Sequence, residues 1–541
     1  MIINSIICGV VYISIIGFGY LVNFALSTKY KSLSSLFILG FILQTIILQV
    51  HYIFLPINLE TTYVYLILSV LLFIHFKNFR FINLIKKNKV LSVIFLIFFL
   101  LLQSTSIEYP TNFDIPDFYL YHKNYIDWIN SYAATEGLAL LNPRHGYAGV
   151  TYLNAAYYNF FPYFNKGWAI LTPTFILFFF SIFFSALKNI FESRSNKMVL
   201  SKIFILLSFY LILKIIFIIN KAETSHFLIF TIIALYLFYL LLRQHEKFNE
   251  KEILLVTIIL IFLPTILFSL SIYSFFVFFI IFLLCYKSKN LFIFKYSIHI
   301  MIYSFIIIIP FLYLNFIKSG YFFFPVTFFD SLINLKTNWS VESNLGTSLI
   351  KGANIYNWNK EKDLSIALIA NWPPLYLSII LMPIILLQFI FVKKIRPFTS
   401  LFLFCILMLI TWYISAPEQR YGTPYVWTLL IFEITLILYS FSFNFLKINN
   451  STIIILCVLI LNASQLIRYY ESIKLNFNYK YPEFYFEIYD TVKKNDINYI
   501  ISNHEGLLIY NGSNLFVTEN LDNFRLIKKK EKIYFRNLGV K

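Results

Sequence analysis

The stretch Asp114-Ile-Pro-Asp117-Phe-Tyr-Leu-Tyr-His122 lies in the first long polar segment of the chain, residues 105–167. The sequence before this segment is almost continuously Phe, Ile and Leu, interrupted only by short polar connections. A chain that merely crosses a bilayer needs only such short connections between its apolar runs. We therefore expect residues 105–167 to form a functional surface. We expect the apolar runs on either side to determine the fold.

The composition predicts an integral membrane protein. Hydrophobic residues make up 59% of the 541 residues and charged residues only 13%, and the mean hydropathy is +0.74. Soluble domains contain about 25% charged residues. The net charge of +18 does not indicate a nucleic-acid partner, because most of the short basic runs lie between apolar segments, where positive-inside anchoring accounts for them. The four cysteines fall within apolar runs and lack metal-ligand spacing, so they predict small buried side chains.

The apolar runs predict the number of membrane spans. A bilayer core needs about 20 apolar residues for each helix, and by this rule the chain has about fourteen spans. The run 253–286 is too long for one helix and is interrupted by Pro264 and Ser269, so we divide it into two spans. The predicted spans are residues 4–26, 34–56, 60–76, 90–104, 168–187, 199–219, 226–242, two within 253–286, 296–315, 373–391, 398–414, 424–443 and 452–468.

Lysine and arginine in alternate loops predict the orientation. Five short loops are basic, and the positive-inside rule places them in the cytoplasm. These loops contain Lys29 and Lys31; Lys77 to Lys89; Lys188 to Lys197; Lys287 to Lys295; and Lys393 to Arg396. The longest polar stretches then share the outer face: residues 105–167, 316–372, 416–423 and the tail 469–541. We expect a bacterial inner (plasma) membrane protein whose site faces the periplasm or exterior.

The chain divides into three predicted regions. Residues 1–89 form N-terminal transmembrane helices, residues 90–468 a transmembrane core, and residues 469–541 a small extracytoplasmic domain. The tail has no catalytic motif, and its pattern predicts a small α/β unit. We expect a helix over Phe484–Lys494 and strands over Tyr499–Ser502, Leu507–Tyr510 and Lys532–Arg536.

The polar segment 105–167 contains predicted interfacial helices. Pro116 keeps the preceding residue out of the helical region, and Asp117 suits an N-cap. Aromatic and apolar residues then recur at three- and four-residue steps as far as Tyr132, which predicts an amphipathic helix with a mostly aromatic face. Gly137 is the predicted stop, and a second helix is expected over residues 149–161. Helices of this kind lie in the membrane interface.

Several short motifs over residues 90–425 resemble a known superfamily. They are Asp114-x-x-Asp117 after the span 90–104, Asp117-x-x-x-Tyr121-His122, Glu136-Gly137-Leu138 with Asn142-x-Arg144, Ser319-Gly320-Tyr321 ending at Pro325, and Pro417-x-x-Arg420-Tyr421-Gly422. The arrangement resembles GT-C-type glycosyltransferases, most closely a group of bacterial polytopic membrane proteins related to them. The resemblance implies a GT-C-like helical membrane fold. It also implies a lipid-phosphate-linked sugar donor that reacts on the outer face.

The resemblance assigns roles to the acidic stretch. Asp117 is the expected general base for the acceptor hydroxyl, and its other interpretation is a plain helix cap; one position suits both roles. Asp114 is the second candidate, as base or as ligand of a divalent cation. His122, one turn further on, would orient the base or bind the acceptor. No other cofactor is implied.

The predicted substrate-binding residues are mostly cations. Arg144 and Arg420 suit a phosphate or pyrophosphate, because the guanidinium fork matches phosphate oxygens, and Lys318 could do the same. Tyr121 and Glu136 complete the set through their motifs. Lys214 and Glu433 lie inside apolar segments, where ionisable residues are functional candidates; Lys214 is near a helix end and could also snorkel.

Three functions fit these patterns. The first is a glycosyltransferase that moves a sugar from a polyprenyl-phosphate-linked donor to a cell-envelope glycan or lipid acceptor. The second is an O-antigen-polymerase-like enzyme, which also uses large outward loops with Arg and His. The third is a polysaccharide flippase, for which fourteen spans would be natural. The concentration of charge in outward loops argues against the flippase. The expected partners are membrane lipid, the lipid-linked donor and the acceptor.

Overall fold

The structure, a computed structural model, describes most of the apolar runs and part of the polar loops. The described residues are 2–26, 30, 32–76, 123–141, 143–146, 149–160, 168–192, 200–218, 226–267, 270–288, 291–324, 326, 337, 340, 372–415, 419–440, 488–494, 497–502, 508–510, 515–517, 524–529 and 532–537. The predicted spans 90–104 and 452–468 lie outside them, as do Asp114 and Asp117.

Long helices dominate the described residues. The helices are α1 (Ile2–Ala25), α2 (Leu33–Phe54), α3 (Leu59–Phe76), α4 (Lys123–Ser131), α5 (Leu138–Leu141), α6 (Pro143–Gly146), α7 (Thr151–Tyr157), α8 (Trp168–Glu192), α9 (Leu200–Ile218), α10 (His226–Glu246), α11 (Glu250–Ile266), α12 (Leu270–Lys287), α13 (Phe292–Ser319), α14 (Pro373–Phe391), α15 (Thr399–Ser415) and α16 (Gln419–Ser440). Among the described residues, ten helices are long and apolar enough to span a membrane: α1–α3, α8, α10 and α12–α16. The protein is therefore a polytopic helical membrane protein. The total of about fourteen spans and the GT-C-like arrangement stay predictions.

The division of the run 253–286 into two helices is confirmed. Helix α11 contains Pro264 and ends at Ile266, after which Leu267 is extended, with φ −152° and ψ 123°. Helix α12 begins at Leu270. The end of α11 also anchors the polar segment 105–167. The Val150 N–H donates to the Thr265 carbonyl at 3.1 Å, and a Cβ at Gly149 would overlap the Ile266 carbonyl oxygen. A carbonyl that the helix leaves unpaired at its end thus binds the loop, and the backbone of Gly149 packs closely beside it.

Helices α1 and α2 pack through glycines. A Cβ at Gly40 of α2 would overlap the Ile15 carbonyl oxygen of α1, and a Cβ at Gly19 of α1 would overlap the Leu36 carbonyl oxygen of α2. Small residues of this kind let helix backbones approach each other closely inside a membrane, where no hydrophobic force drives helices together. This contact fixes the position of α2. The polar segment 105–167 packs against the opposite end of the same helix.

A buried hydrogen-bond network joins α2 to α7. The Gln44 amide donates to Asn154 Oδ1 at 2.8 Å and to the Tyr158 hydroxyl at 2.7 Å. The Asn154 amide donates in return to Thr45 Oγ1 at 3.0 Å. Gln44, Thr45 and Asn154 are all buried. The network therefore holds the second helix of the polar segment inside the bundle.

Replacing Asn154 with Leu is expected to lower the free energy of unfolding by about 1–3 kcal/mol, because the buried Gln44 amide loses a partner. The thermal unfolding temperature in detergent measures the effect. The double variant Gln44→Leu, Asn154→Leu removes both partners and should lose less stability than the sum of the two single changes. The exposed Ser131→Ala variant is the control, with an unchanged unfolding temperature expected. An Asn154→Leu variant as stable as the native protein would contradict a structural role of the network.

The predicted helices of the polar segment are confirmed in part. Helix α4 covers the described portion of the first, and α7 lies within the second. Gly137 was expected to end the first helix, but α4 ends at Ser131. The reason is a tertiary contact: the Ala134 N–H donates to the Tyr52 carbonyl of α2 at 2.8 Å, which draws the chain away from the helix axis. The helices α5 and α6 that follow were not predicted.

The tail contains strands, and the predicted helix over residues 484–494 is wrong where the structure describes it. Ile488–Lys494 forms strand β1, which pairs antiparallel with β2 (Ile497–Ser502). Strands β3 (Leu508–Tyr510) and β4 (Leu515–Val517) complete a sheet of order β1-β2-β3-β4, and β5 (Phe524–Lys529) pairs with β6 (Lys532–Asn537). Only two residues separate β1 from β2, so hairpin pairing overrides the helical pattern of 484–494. The three predicted strands are confirmed.

Candidate functional site

The structure gives different amounts of information on the predicted site residues. Asp114, Asp117, Tyr121 and His122 lie outside the described residues, so their roles stay predictions. The backbones of Arg144, Arg420 and Lys214 are described as parts of α6, α16 and α9. Glu136, Lys318 and Glu433 have described side chains. The described part of the site is built around Lys318.

Lys318 lies in the last turn of α13, not in a loop as the sequence suggested. The apolar run predicted the end of the span at residue 315, but the helix continues to Ser319 and ends because Gly320 adopts the left-handed conformation, with φ 82°. The Ser319 hydroxyl donates to the Asn315 carbonyl at 2.7 Å and accepts from the Tyr321 N–H at 3.2 Å, so it shapes the turn. Lys318 is only 3% exposed.

The Glu136-Gly137 turn lies directly against this helix end. The Gly137 N–H donates to the Ile317 carbonyl of α13 at 3.0 Å, and Gly137 has a φ of 74°, which favours glycine. Further along, a Cβ at Gly146 would come within 2.8 Å of the Phe324 ring. The structure thus brings together two motifs that the sequence predicted to cooperate, Glu136-Gly137 and Ser319-Gly320-Tyr321.

One aromatic ring lies against the Lys318 side chain, and two further rings pack on that ring. Its Nζ lies 5.7 Å from the centroid of the Tyr125 ring on α4, within cation–π range. The His145 ring of α6 stacks on Tyr125 with centroids 5.0 Å apart and an interplanar angle of 14°. Tyr152 of α7 meets Tyr125 edge-on at 5.3 Å. Burial raises the pKa of Tyr125 above its ordinary value, so its hydroxyl is neutral. We call Lys318, Tyr125 and His145 the lysine cluster; the backbone of the Glu136-Gly137 turn lies next to it.

His145 is the member of the lysine cluster that the sequence interpretation missed. It follows Arg144 directly, just after the motif Asn142-x-Arg144, and is 1% exposed. A lone histidine in a loop gives no periodic signal, and only its contact with Tyr125 reveals its place. The one sequence signal is its position directly after Arg144.

The loop that carries the lysine cluster is tied to the end of α2 and to the connection after it. The Ile57 N–H donates to the Ile129 carbonyl at 3.0 Å, and the Asn130 amide donates to the Ile57 carbonyl at 2.6 Å. Within the loop, the Trp128 indole N–H donates to Thr135 Oγ1 at 3.1 Å. The aromatic face of α4 is therefore buried against protein. This burial fixes the position of the Tyr125 ring next to Lys318.

An apolar groove lies at the same end of the bundle, on the lipid-facing side of α2. It has a volume of about 410 Å³ and is lined by side chains of α2 and by Tyr65 of α3. The His51 ring in its wall is fixed by Tyr65 and Thr61, each at 3.2 Å. A groove of this chemistry suits a hydrocarbon chain.

Arg420 and Lys214 are placed on other helices. Residues 416–423 were predicted to be a loop, but α16 begins at Gln419, so Arg420 lies in its first turn. Helix α16 packs mainly against α9, α10, α14 and α15, whereas α5 and α6 pack against α13. Convergence of Arg420 with the lysine cluster therefore stays a prediction. Lys214 lies in the second half of α9.

Glu433 is fully buried inside α16. Its carboxyl oxygens have no hydrogen-bond partner within the part of the chain that the structure describes, although the Ser378 hydroxyl of α14 lies beside it. Isolated buried charges are costly, so the carboxyl is expected to be neutral. Ser378 is the polar neighbour that the sequence could not name.

The structure leaves the predicted divalent cation untested. Among the described residues, no three His, Cys, Asp or Glu side chains form a group that could hold a metal ion. Asp114 and Asp117, the pair that could bind such a cation, lie outside those residues. Three cysteines, Cys8, Cys285 and Cys405, are buried, as the sequence predicted.

The fold and the lysine cluster define a class: a polytopic helical membrane protein with a structured polar loop docked on the end of a transmembrane helix. Within that class, the chain belongs to the family described as a domain of unknown function (DUF8201), whose family model matches residues 1–427. The matched region contains the lysine cluster and ends before the strands of the tail. Searches of curated proteins and of solved structures found no match.

Proposed function

We propose that the protein is a membrane glycosyltransferase that moves a sugar from a polyprenyl-phosphate-linked donor to a glycan or lipid acceptor on the outer face of the membrane. Asp117 would be the general base. The observation that carries the proposal is the lysine cluster, in which a buried lysine side chain at the end of a transmembrane helix lies against the Tyr125 ring, next to the backbone of the Glu136-Gly137 turn. The cluster lies next to Glu136-Gly137 and Ser319-Gly320-Tyr321, two of the motifs that carry the resemblance.

Transfer from a lipid phosphate requires stabilisation of the departing phosphate. A cation in a water-poor site interacts with phosphate charge far more strongly than a cation in bulk water. Lys318 meets this requirement, because it is buried and is held at the point where α13 leaves the membrane. The apolar groove beside α2 lies at the same end and would accept the polyprenyl chain. A loop docked on the bundle would position the base and the acceptor above this phosphate site.

An O-antigen-polymerase-like enzyme is the second candidate. Such an enzyme also acts on lipid-linked glycans through outward loops rich in Arg and His. The feature that favours it is the adjacency of Arg144 and His145 on α6, with His145 stacked on Tyr125. The two candidates differ in product: the first adds one sugar, whereas the second joins whole oligosaccharides.

Replacing Lys318 with Met is expected to weaken the binding of a polyprenyl phosphate by about tenfold to a hundredfold, because hydrogen bonds to charged groups contribute about 1.5–3 kcal/mol. Met keeps an unbranched apolar stem in the buried position. Native mass spectrometry of the purified full chain with a short-chain polyprenyl phosphate measures binding. The exposed Lys247→Met variant is the control.

Lys318→Arg keeps the positive charge and should retain more binding than Lys318→Met. Size-exclusion chromatography shows which variants are folded. If folded Lys318→Met and Lys318→Arg bind the polyprenyl phosphate as tightly as the native protein, the lysine cluster is not a phosphate site and the proposal loses its main support.

A further inference from the structure

A second cavity lies at the other end of the bundle. It has a volume of about 300 Å³ and forms where the start of α2, the end of α10 and the start of α11 meet. The lysine cluster adjoins the opposite end of α2, and the helix length separates the two by about 30 Å. Small-molecule sites span about 300–1,000 Å³, so the cavity can take a compact ligand. We call it the basic-end cavity, because the basic loops border this end of the bundle.

The basic-end cavity contains charges of both signs. Arg243 Nη2 and Glu252 Oε1 lie 2.7 Å apart, with the two side chains 43% and 15% exposed. Each ion is also held by a second group. The Arg243 guanidinium lies 5.7 Å from the centroid of the Tyr239 ring, and Glu252 accepts a hydrogen bond from the Gln244 amide at 2.8 Å. A ligand that enters therefore meets a fixed cation and a fixed anion side by side.

Hydroxyl groups line the wall on the α2 side. Ser32 caps α2 and accepts from the Ser35 N–H at 3.1 Å, and the Ser34 hydroxyl donates to Ser32 at 3.3 Å. Ser35 in turn pairs with the Tyr236 hydroxyl at 3.4 Å. Hydroxyls at a helix start, with a cation opposite, are complementary to phosphate oxygens. Ile182 and Leu240 supply an apolar part of the lining.

The position of the cavity restricts the ligand further. Two membrane-spanning helices, α2 and α10, have their ends in its wall, so the cavity lies at the level of the bilayer surface. The cavity therefore suits a ligand that has a phosphate, a cation able to donate hydrogen bonds and an apolar part. A zwitterionic phospholipid has all three. A primary ammonium can donate to Glu252, whereas a trimethylammonium has no N–H to donate.

We propose that the basic-end cavity binds the phosphoethanolamine headgroup of a phospholipid, with the phosphate on Arg243 and the α2 serines and the ammonium on Glu252. Binding opens the Arg243–Glu252 pair so that each ion takes its complement on the headgroup. The site is independent of sugar transfer and of the lysine cluster. It would make the fold at this end sensitive to the headgroup composition of the membrane.

Lipid retention by the purified full chain tests the proposal. The protein is exchanged into micelles with equal amounts of phosphatidylethanolamine, phosphatidylcholine and phosphatidylglycerol, and bound lipid is counted by native mass spectrometry. We expect phosphatidylethanolamine to be retained at least tenfold over the other two. Arg243→Gln and Glu252→Gln should each abolish this preference. Lys295→Gln is the matched control, since it breaks the Lys295–Glu250 pair (2.9 Å) at the same end, outside the cavity.

Two further arms keep the result decisive. Ser34→Leu narrows the cavity without touching the ion pair, and it should also lose phosphatidylethanolamine, which covers the event that the charge variants fail to fold. Soluble phosphoethanolamine distinguishes a lipid from a free headgroup. Equal retention of the three lipids, unchanged retention in folded Arg243→Gln and Glu252→Gln, or binding of soluble phosphoethanolamine as tight as that of the lipid would overturn the proposal.

Discussion

Replacing Asp117 with Asn is expected to reduce sugar transfer by roughly a hundredfold to ten-thousandfold, the usual contribution of a general base. The amide cannot accept the proton of an acceptor hydroxyl at neutral pH. Asn caps helices as well as Asp does, so the variant should retain the helix start predicted for this position. The Asp117→Asn substitution therefore removes the proposed base and keeps the helix cap, so a loss of activity would not result from misfolding.

The measurement is the rate of transfer from a polyprenyl-phosphate-linked sugar, together with the amount of surface glycan in cells. Asp114→Asn is made in parallel and distinguishes the two acids, since only the base should show the full loss. Glu60→Gln is the control: Glu60 is an exposed carboxylate in the first turn of α3. We expect this control to have native activity.

Two outcomes would count against the base. If Asp117→Asn has normal transfer while Asp117→Ala is poorly expressed, the residue is a helix cap only. If both Asn variants express well and leave the surface glycan unchanged, the proposed mechanism is wrong. Loss of activity in Asp114→Asn alone would move the base to Asp114 and leave the reaction class intact.

Replacing Gly40 with Ala is expected to destabilise the protein by about 3 kcal/mol or more, at the upper end of the usual cost of overpacking. A Cβ at this position would overlap the Ile15 carbonyl oxygen and lie 2.7 Å from the Gly19 backbone nitrogen. Both atoms belong to the α1 backbone and cannot rotate away as a side chain does. The two helices must therefore separate, which disturbs the end of α2 that borders the lysine cluster.

The control for Gly40→Ala is another Gly→Ala substitution, this one in α1, at a position where a Cβ has space. A Cβ at Gly9 of α1 would have no atom within 4 Å. Because Ala is favoured over Gly in a helix by about 1 kcal/mol, Gly9→Ala should leave the unfolding temperature unchanged or raise it. Thermal unfolding in detergent compares the two variants. Equal unfolding temperatures for both would show that α1 and α2 are not in close backbone contact.

Features that depend on local sequence were predictable, whereas features that depend on contacts between distant residues were not. The long helices were predictable from hydropathy because each apolar run must satisfy its own backbone hydrogen bonds inside a membrane. The break after Ile266 was predictable because Pro264 weakens the helix locally. The end of α13 was placed too early, since Lys318 and Ser319 read as polar loop residues although only Gly320 stops the helix.

Errors arose where distant parts of the chain meet. Residues 488–494 have a helical pattern, yet their pairing with β2 makes them a strand. Helix α4 ends at Ser131 because Ala134 bonds to Tyr52, a residue far away in sequence. His145 was missed because its place depends on stacking against Tyr125. None of these contacts leaves a periodic trace in the local sequence.

The sequence by itself determined that this is a polytopic membrane protein and that its long helices lie where the apolar runs lie. Those properties follow from local hydropathy, because the bilayer acts on each segment separately. Only the tertiary structure decided which loops meet. The contact between Gly137 and Ile317, which joins the Glu136-Gly137 turn to the end of α13, depends on one backbone hydrogen bond and on a loop held against α2 and α11. Such contacts depend on how the whole bundle packs, and the hydropathy of the sequence does not predict that packing.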